Sequence, residues 1–312
     1  MSTVPDSASA TPDRSGLFLG VAAYAIWGAF PLYFALLARV GALEVVAHRA
    51  IWGLVFCLVL ITATGRLPRF WRHLRQRSDF IPLSAAGLLI AVNWTTYVYG
   101  VTTGRTLDAA LGYFINPLTT VLLAVLVLSE RLRRLQWAAI ILGATAVIIL
   151  VVAYGEVPYI ALTLATTFSL YGLVKKQVGQ RVGPLEGMAI ETIVLLPLAV
   201  GYLAYLSLGP GLSAGADQPG LIALLIASGP LTAVPLLIFA AAARRLPLAL
   251  IGLLQYMTPA CQTIIALWIF HEPLPPERLA GFALVWVAIV FLMADSVLAL
   301  RRQPRPGKHS QG

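Results

Sequence analysis

The sequence predicts an all-α integral membrane protein: ten transmembrane helices in two inverted-topology five-helix repeats. Three observations predict it. Of 312 residues, 59% are hydrophobic and only 11% charged, and long uncharged runs punctuated by short loops are the mark of membrane spans. A second-half segment copies a first-half one at a fixed offset. The basic residues, finally, fall on one side of the resulting topology.

The copied segment starts at Gly112-Tyr113-Phe114-Ile115-Asn116-Pro117 and runs to Ser129-Glu130; its partner runs from Leu254-Gln255-Tyr256-Met257-Thr258-Pro259 to His271-Glu272. The offset is 259 − 117 = 142, and also 272 − 130 = 142. Val40-Gly41 with Glu44 maps onto Val182-Gly183 with Glu186 at the same distance. A proline inside a helix removes the N–H that would bond the carbonyl four residues back. Pro117 therefore frees the carbonyl of Tyr113, and Pro259 that of Gln255. In hydrocarbon each needs a partner. A single kink is common in membrane helices; interrupted helices at matching places in two halves point to a transport site.

In chain order, the first 15 residues are polar and rich in Ser, Thr and Pro, and read as a disordered tail. The apolar run after them is too long for a signal-peptide core and lacks a small-residue cleavage site. Spans are expected at 16–37, 44–64, 80–101, 107–128, 135–153, 157–175, 185–207, 220–243, 248–270 and 278–299. The first five form one repeat (16–153) and the last five the other (157–299), with a short tail at 300–312. Only the connections 65–79 and 208–219 have any size, which leaves no room for a soluble domain.

With an N-terminus in the cytoplasm, the inner loops and tails hold 18 of the 22 Lys and Arg residues. These include Arg14, the five arginines from Arg66 to Arg77, Arg131, Arg133, Arg134 and the pair Lys175-Lys176. Outside remain Arg39, Arg105 and Arg278, while Arg49 sits within a span. By the positive-inside rule both termini face the cytoplasm. That placement explains the net charge of +9 without nucleic acid. Five helices per half is odd, so the second half enters the membrane upside down and the halves relate by an in-plane pseudo-two-fold axis.

Ala25-Ile26-Trp27-Gly28, His48-Arg49, Gly112 to Pro117, Phe168 to Lys175 and Ile190-Glu191-Thr192 resemble the RarD-type branch of the EamA drug/metabolite transporters. The likeness runs from about residue 16 to 300. It implies ten helices in two inverted repeats, export or exchange of small metabolites or drugs, and a bacterial-type inner-membrane location. Asp108 stands where that pattern leads one to expect glutamate, with the charge kept.

Charge inside a span is costly and needs a reason. Arg49 reads either as snorkelling outward or pairing with Glu44, or as a fixed cation suited to an anionic substrate group. Glu191 is its counterpart, since 49 + 142 = 191. A carboxylate in hydrocarbon is disfavoured in its charged form, so Glu191 is either satisfied by neighbouring hydroxyls or exchanges a proton. His48, one turn from Glu44, is a second proton candidate or a structural hydrogen bond. Depth places Arg49 and Glu191 on opposite sides of the midplane, as two separate polar stations. Asp108 reads as structural, following Thr106 as helix cap, and Lys175 and Lys176 as orientation signals. Mid-depth aromatics and amides complete the expected pocket: Trp27, Asn93, Trp94, Tyr97, Tyr113, Asn116, Tyr171, Gln255 and Tyr256. Gly16 with Gly20 and Gly100 with Gly104 have the spacing of close-packing pairs.

A membrane enzyme would need an acidic metal cluster or an activated nucleophile. The 13 acidic residues include no adjacent pair and no zinc-ligand spacing. No phosphate-binding glycine loop supports a primary pump. The two cysteines, Cys57 and Cys261, support no disulfide framework. What remains is a secondary transporter of a small molecule, working without a cofactor and with proton coupling to test. A channel or membrane sensor is the rival reading.

Overall fold

The computed structural model describes residues 14–128, 133–154, 157–215, 217–246 and 248–302. Glu130, Arg131 and most of both tails lie outside them. The described chain is helical throughout its ordered segments: α1 (Arg14–Gly28), α2 (Phe30–Ala35), α3 (Ala42–Ala63), α4 (Leu67–Arg75) and α5 (Arg77–Thr102). There follow α6 (Thr106–Leu128), α7 (Arg134–Tyr154), α8 (Tyr159–Val178), α9 (Pro184–Leu208) and α10 (Pro219–Ala243). The last span begins after α11 (Leu248–Leu254), α12 (Met257–Ile264) and a π-helix (Ile265–Ile269), and is α13 (Pro276–Arg302). Nine described segments are long and apolar enough to cross a membrane. The tenth, α8, has 20 residues, about 30 Å of helix, but carries Thr163, Thr166, Thr167, Ser169 and two lysines.

The repeat survives in the helix starts. Adding 142 to the first residues of α3, α5, α6 and α7 (42, 77, 106 and 134) gives 184, 219, 248 and 276, where α9, α10, α11 and α13 begin. The packing pairs match too. α1 packs on α10 as α8 packs on α5; α3 packs on α10 as α9 packs on α5; α6 packs on α8 as α12 packs on α1. α3 against α9, and α7 against α13, are pairings of repeat mates across the axis itself. Each surface is thus used twice, once per half.

Close approach between halves needs glycine at two places. A Cβ on Gly229 of α10 would lie 2.3 Å from the Trp52 carbonyl carbon of α3, and one on Gly87 of α5 would lie 2.7 Å from the Glu191 carbonyl oxygen of α9. Backbone cannot give way cheaply. Gly229→Ala is therefore expected to destabilise the protein by about 1–3 kcal/mol through overpacking, read as a lower unfolding temperature in detergent. An unchanged temperature would mean that α10 does not sit against α3 as described.

Four expectations are corrected. Residues 65–79 are not a loop: Pro68 opens α4, whose Phe70 and His73 are buried while its arginines stay out. His73 Nδ1 and Asp79 Oδ2 meet at 2.8 Å, which binds α4 to the first turn of α5. The ninth span is not one helix but breaks at Gln255-Tyr256, four residues before Pro259, as a freed carbonyl allows. Its repeat mate α6 runs through Pro117 unbroken, so the same device is sprung in one half only. Thr106 does not cap α6 with its side chain, whose hydroxyl is buried without a partner. Gly104 is a turn residue with φ +70° rather than a packing glycine, whereas Gly16 and Gly20 do face close neighbours, Arg245 Cβ and Leu254 Cδ1, each 2.8 Å from a notional Cβ.

Candidate functional site: two polar stations and a latch

Arg49 lies seven residues into α3, about 10 Å along the axis from its start. It is 4% exposed. Neither of the sequence alternatives of snorkelling or pairing with Glu44 holds. Its Nε donates to Thr232 Oγ1 at 2.6 Å, and Thr232 in turn donates to the Ser228 carbonyl at 2.8 Å. Its guanidinium lies 4.1 Å from the Trp94 ring centre, 5.3 Å from that of Phe34 and 5.8 Å from that of Phe30. Nη1 is buried with no hydrogen-bond acceptor. Among the described residues Arg49 makes no ion pair. Rings and one hydroxyl hold it in place but do not neutralise it.

Around this cation stand the residues expected from mid-depth. Tyr97 packs its ring against Phe34 and Tyr113 at 5.9 and 5.8 Å. Tyr113 donates to Asn93 Oδ1 at 3.3 Å, and Asn93 Nδ2 donates to the Leu164 carbonyl and to Thr167. Gln262, which sequence reasoning passed over, donates to the Tyr97 hydroxyl at 3.2 Å and the Trp27 carbonyl at 3.3 Å. Its Oε1 is buried and lacks a donor. The signal was available, since an amide three residues beyond Pro259 obeys the rule that singled out Asn93. Trp27 joins Tyr24 and Phe239 in an aromatic cluster beside this centre. Asn116 sits apart: its Oδ1 accepts from Ser169 at 2.7 Å, in a knot with Thr119 and Thr120 that ties α6 to α8. Gln255 and Tyr256 are half-buried at the break before α12.

Glu191 forms the second station, with a wholly different set of partners. Lys175 Nζ reaches its Oε1 at 2.5 Å and the Tyr171 hydroxyl donates to Oε2 at 3.2 Å. Lys175 is thus more than an orientation signal. Three turns of α8 beyond Leu164, it snorkels back into the bundle, and its side chain is 25% exposed against 4% for Glu191. Arg49 and Glu191 do not touch. The contrast between the stations is one of charge: Glu191 has its counter-ion and Arg49 has none.

Between the stations and the face opposite the termini, the protein is latched. The Glu272 carboxylate accepts the backbone N–H groups of Thr106 and Leu107 at 2.7 and 2.8 Å, capping α6 from 166 residues away, a charge suited to a helix N-terminus. His271 holds a left-handed backbone, φ +53°, a strained conformation for a residue with a side chain. Asp108 accepts from Arg105 at 2.7 Å and meets Arg278 at 3.4 Å, a structural role as its position implied. Glu44 accepts from both the N–H and the hydroxyl of Ser213 at 3.0 and 2.6 Å. His48, half-buried, has that neighbour engaged elsewhere. On the face of the termini the repeat mate of Glu44 is Glu186. It has only Arg66 at 3.9 Å, and its Oε2 is buried without a donor. Glu44 thus accepts two close hydrogen bonds, whereas its mate has a single loose ion pair and one oxygen without a donor.

Glu272→Ala is expected to lower stability by about 1–2 kcal/mol, the cost of a lost helix cap, measured by thermal unfolding. The unpaired N–H groups of Thr106 and Leu107 should also exchange with deuterium faster. Unchanged exchange there would mean that Glu272 is not the cap.

Comparisons with known proteins agree with this architecture. The sequence model of the EamA-like transporter family matches residues 14–152 and again residues 158–294. An uncharacterized transporter of Pseudomonas aeruginosa is 44% identical, over 94% of this chain and 98% of its own length. Protein RarD of Streptomyces exfoliatus is 43% identical over 93% of this chain and 91% of its own, and protein RarD of Escherichia coli 38% identical over 93% and 97%. A solved crystal structure, 19% identical, superposes with a TM-score of 0.59 over 92% of this chain and 99% of the other, a likeness of fold alone. A family match repeated at the spacing of the internal duplication, together with relatives alike along nearly their whole length, places this membrane protein in the EamA-like transporter family.

Proposed function

We propose that the protein is a secondary active transporter that carries a small organic anion, a metabolite or drug, across a bacterial-type inner membrane by alternating access. The observation that carries this reading is Arg49: a buried cation with a free Nη1 and no protein counter-ion. Burying an unpaired charge costs several kcal/mol, and a site keeps such a cost when a ligand supplies the missing charge. A carboxylate or comparable group would bind Nη1, an apolar or aromatic body would pack on Trp94, Phe34 and Tyr97, and a hydrogen-bond donor would meet Gln262 Oε1. Asn93, Tyr113 and Trp27 would shape the walls, and Gln255 and Tyr256 at the helix break would move as the site changes sides.

Coupling is assigned to Glu191, with Lys175 and Tyr171 as its partners. A proton arriving at Glu191 would release Lys175, and His48 would tune this from the other side. The asymmetry of the repeat mates supports alternating access: Glu44 accepts two close hydrogen bonds where Glu186 has one loose ion pair, and α6 is continuous where its mate is broken. Exchange of these roles between halves would open the opposite face.

The test is counterflow in proteoliposomes over a panel of small organic acids, amines and neutral solutes. Saturable trans-stimulated uptake confined to anions is expected. Non-saturable flux would favour a channel, and exclusive uptake of cations would reject the role of Arg49. Orientation is tested with single cysteines in a cysteine-free background. Gln76→Cys, next to α4, should be shielded from an impermeant maleimide in intact cells, and Leu212→Cys should react. The reverse pattern would turn the molecule over.

A further inference from the structure

On the face that carries the termini, α4, the turn between α8 and α9, the start of α9 and the end of α10 line an open cavity of about 500 Å3. Its wall bears five guanidiniums, those of Arg66, Arg69, Arg72, Arg181 and Arg244, against a single lining carboxylate, Glu186. Two of the five are engaged: Arg181 pairs with Asp79 at 3.1 Å and Arg66 stands 3.9 Å from Glu186. Arg69, Arg72 and Arg244 are exposed and have no ion-pair partner among the described residues. They come from two elements 172 positions apart in sequence (244 − 72), so the fold gathers them and a loop does not. The α9 amino end, Gly183 and Pro184, also lines the cavity, with the Glu186 carboxylate folded against Gly183. Glu186 adds a second and opposite demand, because its buried Oε2 lacks any donor.

We propose that this cavity binds a phosphodiester anion whose other arm carries hydroxyl groups, the headgroup chemistry of phosphatidylglycerol. The phosphate sits among Arg69, Arg72 and Arg244, and a glycerol hydroxyl donates to Glu186. A lipid, rather than a dissolved phosphate, fits the surroundings. Beneath the cavity lies the apolar cluster of Ile61, Phe70, Leu185 and Met188. Beside it α4 exposes Leu67 and Trp71, an amphipathic helix with an aromatic at headgroup level. Basic pockets between membrane helices are suited to anionic headgroups. Through the shared ligand α4, which belongs to the first half, would be tied to α9 and α10 of the second.

The test uses the full-length protein purified in detergent, with native mass spectrometry counting retained lipids after titration with phosphatidylglycerol, phosphatidic acid, phosphatidylethanolamine or glycerol 1-phosphate. The expected result is one tightly held phosphatidylglycerol per chain and no comparable retention of phosphatidylethanolamine. The triple variant Arg69→Gln, Arg72→Gln, Arg244→Gln should bind it roughly a hundredfold more weakly, taking the usual contribution of each arginine near an anionic headgroup. Glu186→Gln should keep phosphate binding and lose the preference for phosphatidylglycerol over phosphatidic acid. Arg75→Gln with Arg77→Gln changes two arginines outside the cavity and should bind like the parent; an equal loss there would overturn the site as mere surface charge. Unchanged retention in the triple variant would overturn it too. Binding of glycerol 1-phosphate without retention of the lipid would reject the lipid source.

Discussion

Arg49→Met is expected to abolish transport while leaving the protein as stable as the parent, or more so. Two opposed effects decide this. Arg49 is held by one hydroxyl and three rings, and a cation over a desolvated aromatic gains about 2 kcal/mol. Taking the charge out of water without a counter-ion costs several kcal/mol, so an apolar side chain of similar length removes more cost than gain. Substrate recognition moves the other way. Losing one half of a buried charge pair costs at least about 2 kcal/mol, roughly thirtyfold in affinity. Counterflow and thermal unfolding, measured on the same preparation, give the answer. A variant that still transports would remove Arg49 from the site, and one that transports poorly because it unfolds would make Arg49 a structural residue. Arg49→Lys should also fail, because a compact ammonium cannot span Thr232 and the substrate as a planar fork does.

The pair Glu191–Lys175 should behave in the contrary sense. Glu191→Gln is expected to abolish transport driven by a pH gradient and also to destabilise, since Lys175 is left without its partner. Breaking a buried pair costs about 3–5 kcal/mol, and the partial exposure of Lys175 brings the expectation down to about 1–3 kcal/mol. Lys175→Met should cost more, because it strands the carboxylate on the more buried side. The double variant Glu191→Gln with Lys175→Met should recover stability and not pH-driven transport. Recovery of both would show that the pair is structural. Loss of stability without rescue would mean that Glu191 and Lys175 act independently.

The two stations differ in how far the sequence disclosed them. Arg49 and Glu191 stand out in any reading, because a charge in an apolar span has to be explained, and the offset of 142 pairs them without a structure. That they would be separate followed from depth alone. Their partners were out of reach. Lys175 looks like a loop charge at a helix end, and only the packing of α8 beside α9 turns it inward. Thr232 is 183 positions from Arg49, one of many threonines in apolar surroundings. Glu272 was visible as a repeated marker after a proline, but its task depends on where α6 begins in space.

The duplication, the spans and their inversion were determined by the sequence, because each follows from local rules; whether a proline breaks its helix was not, since α6 runs through Pro117 while its mate breaks before Pro259. Hydrocarbon demands long apolar runs with internal hydrogen bonds, proline removes a donor at a known place, and an odd number of spans per half reverses the second copy. What only the tertiary structure decided is which charges are paired. Repeat mates have like surroundings in sequence, yet Glu44 accepts two close hydrogen bonds and Glu186 only a loose pairing with Arg66, and Glu191 is neutralised while Arg49 is not. The partners that make the difference, Ser213 for Glu44 and Thr232 for Arg49, lie 169 and 183 positions away, so they belong to the packing of the two halves against each other and not to any local rule.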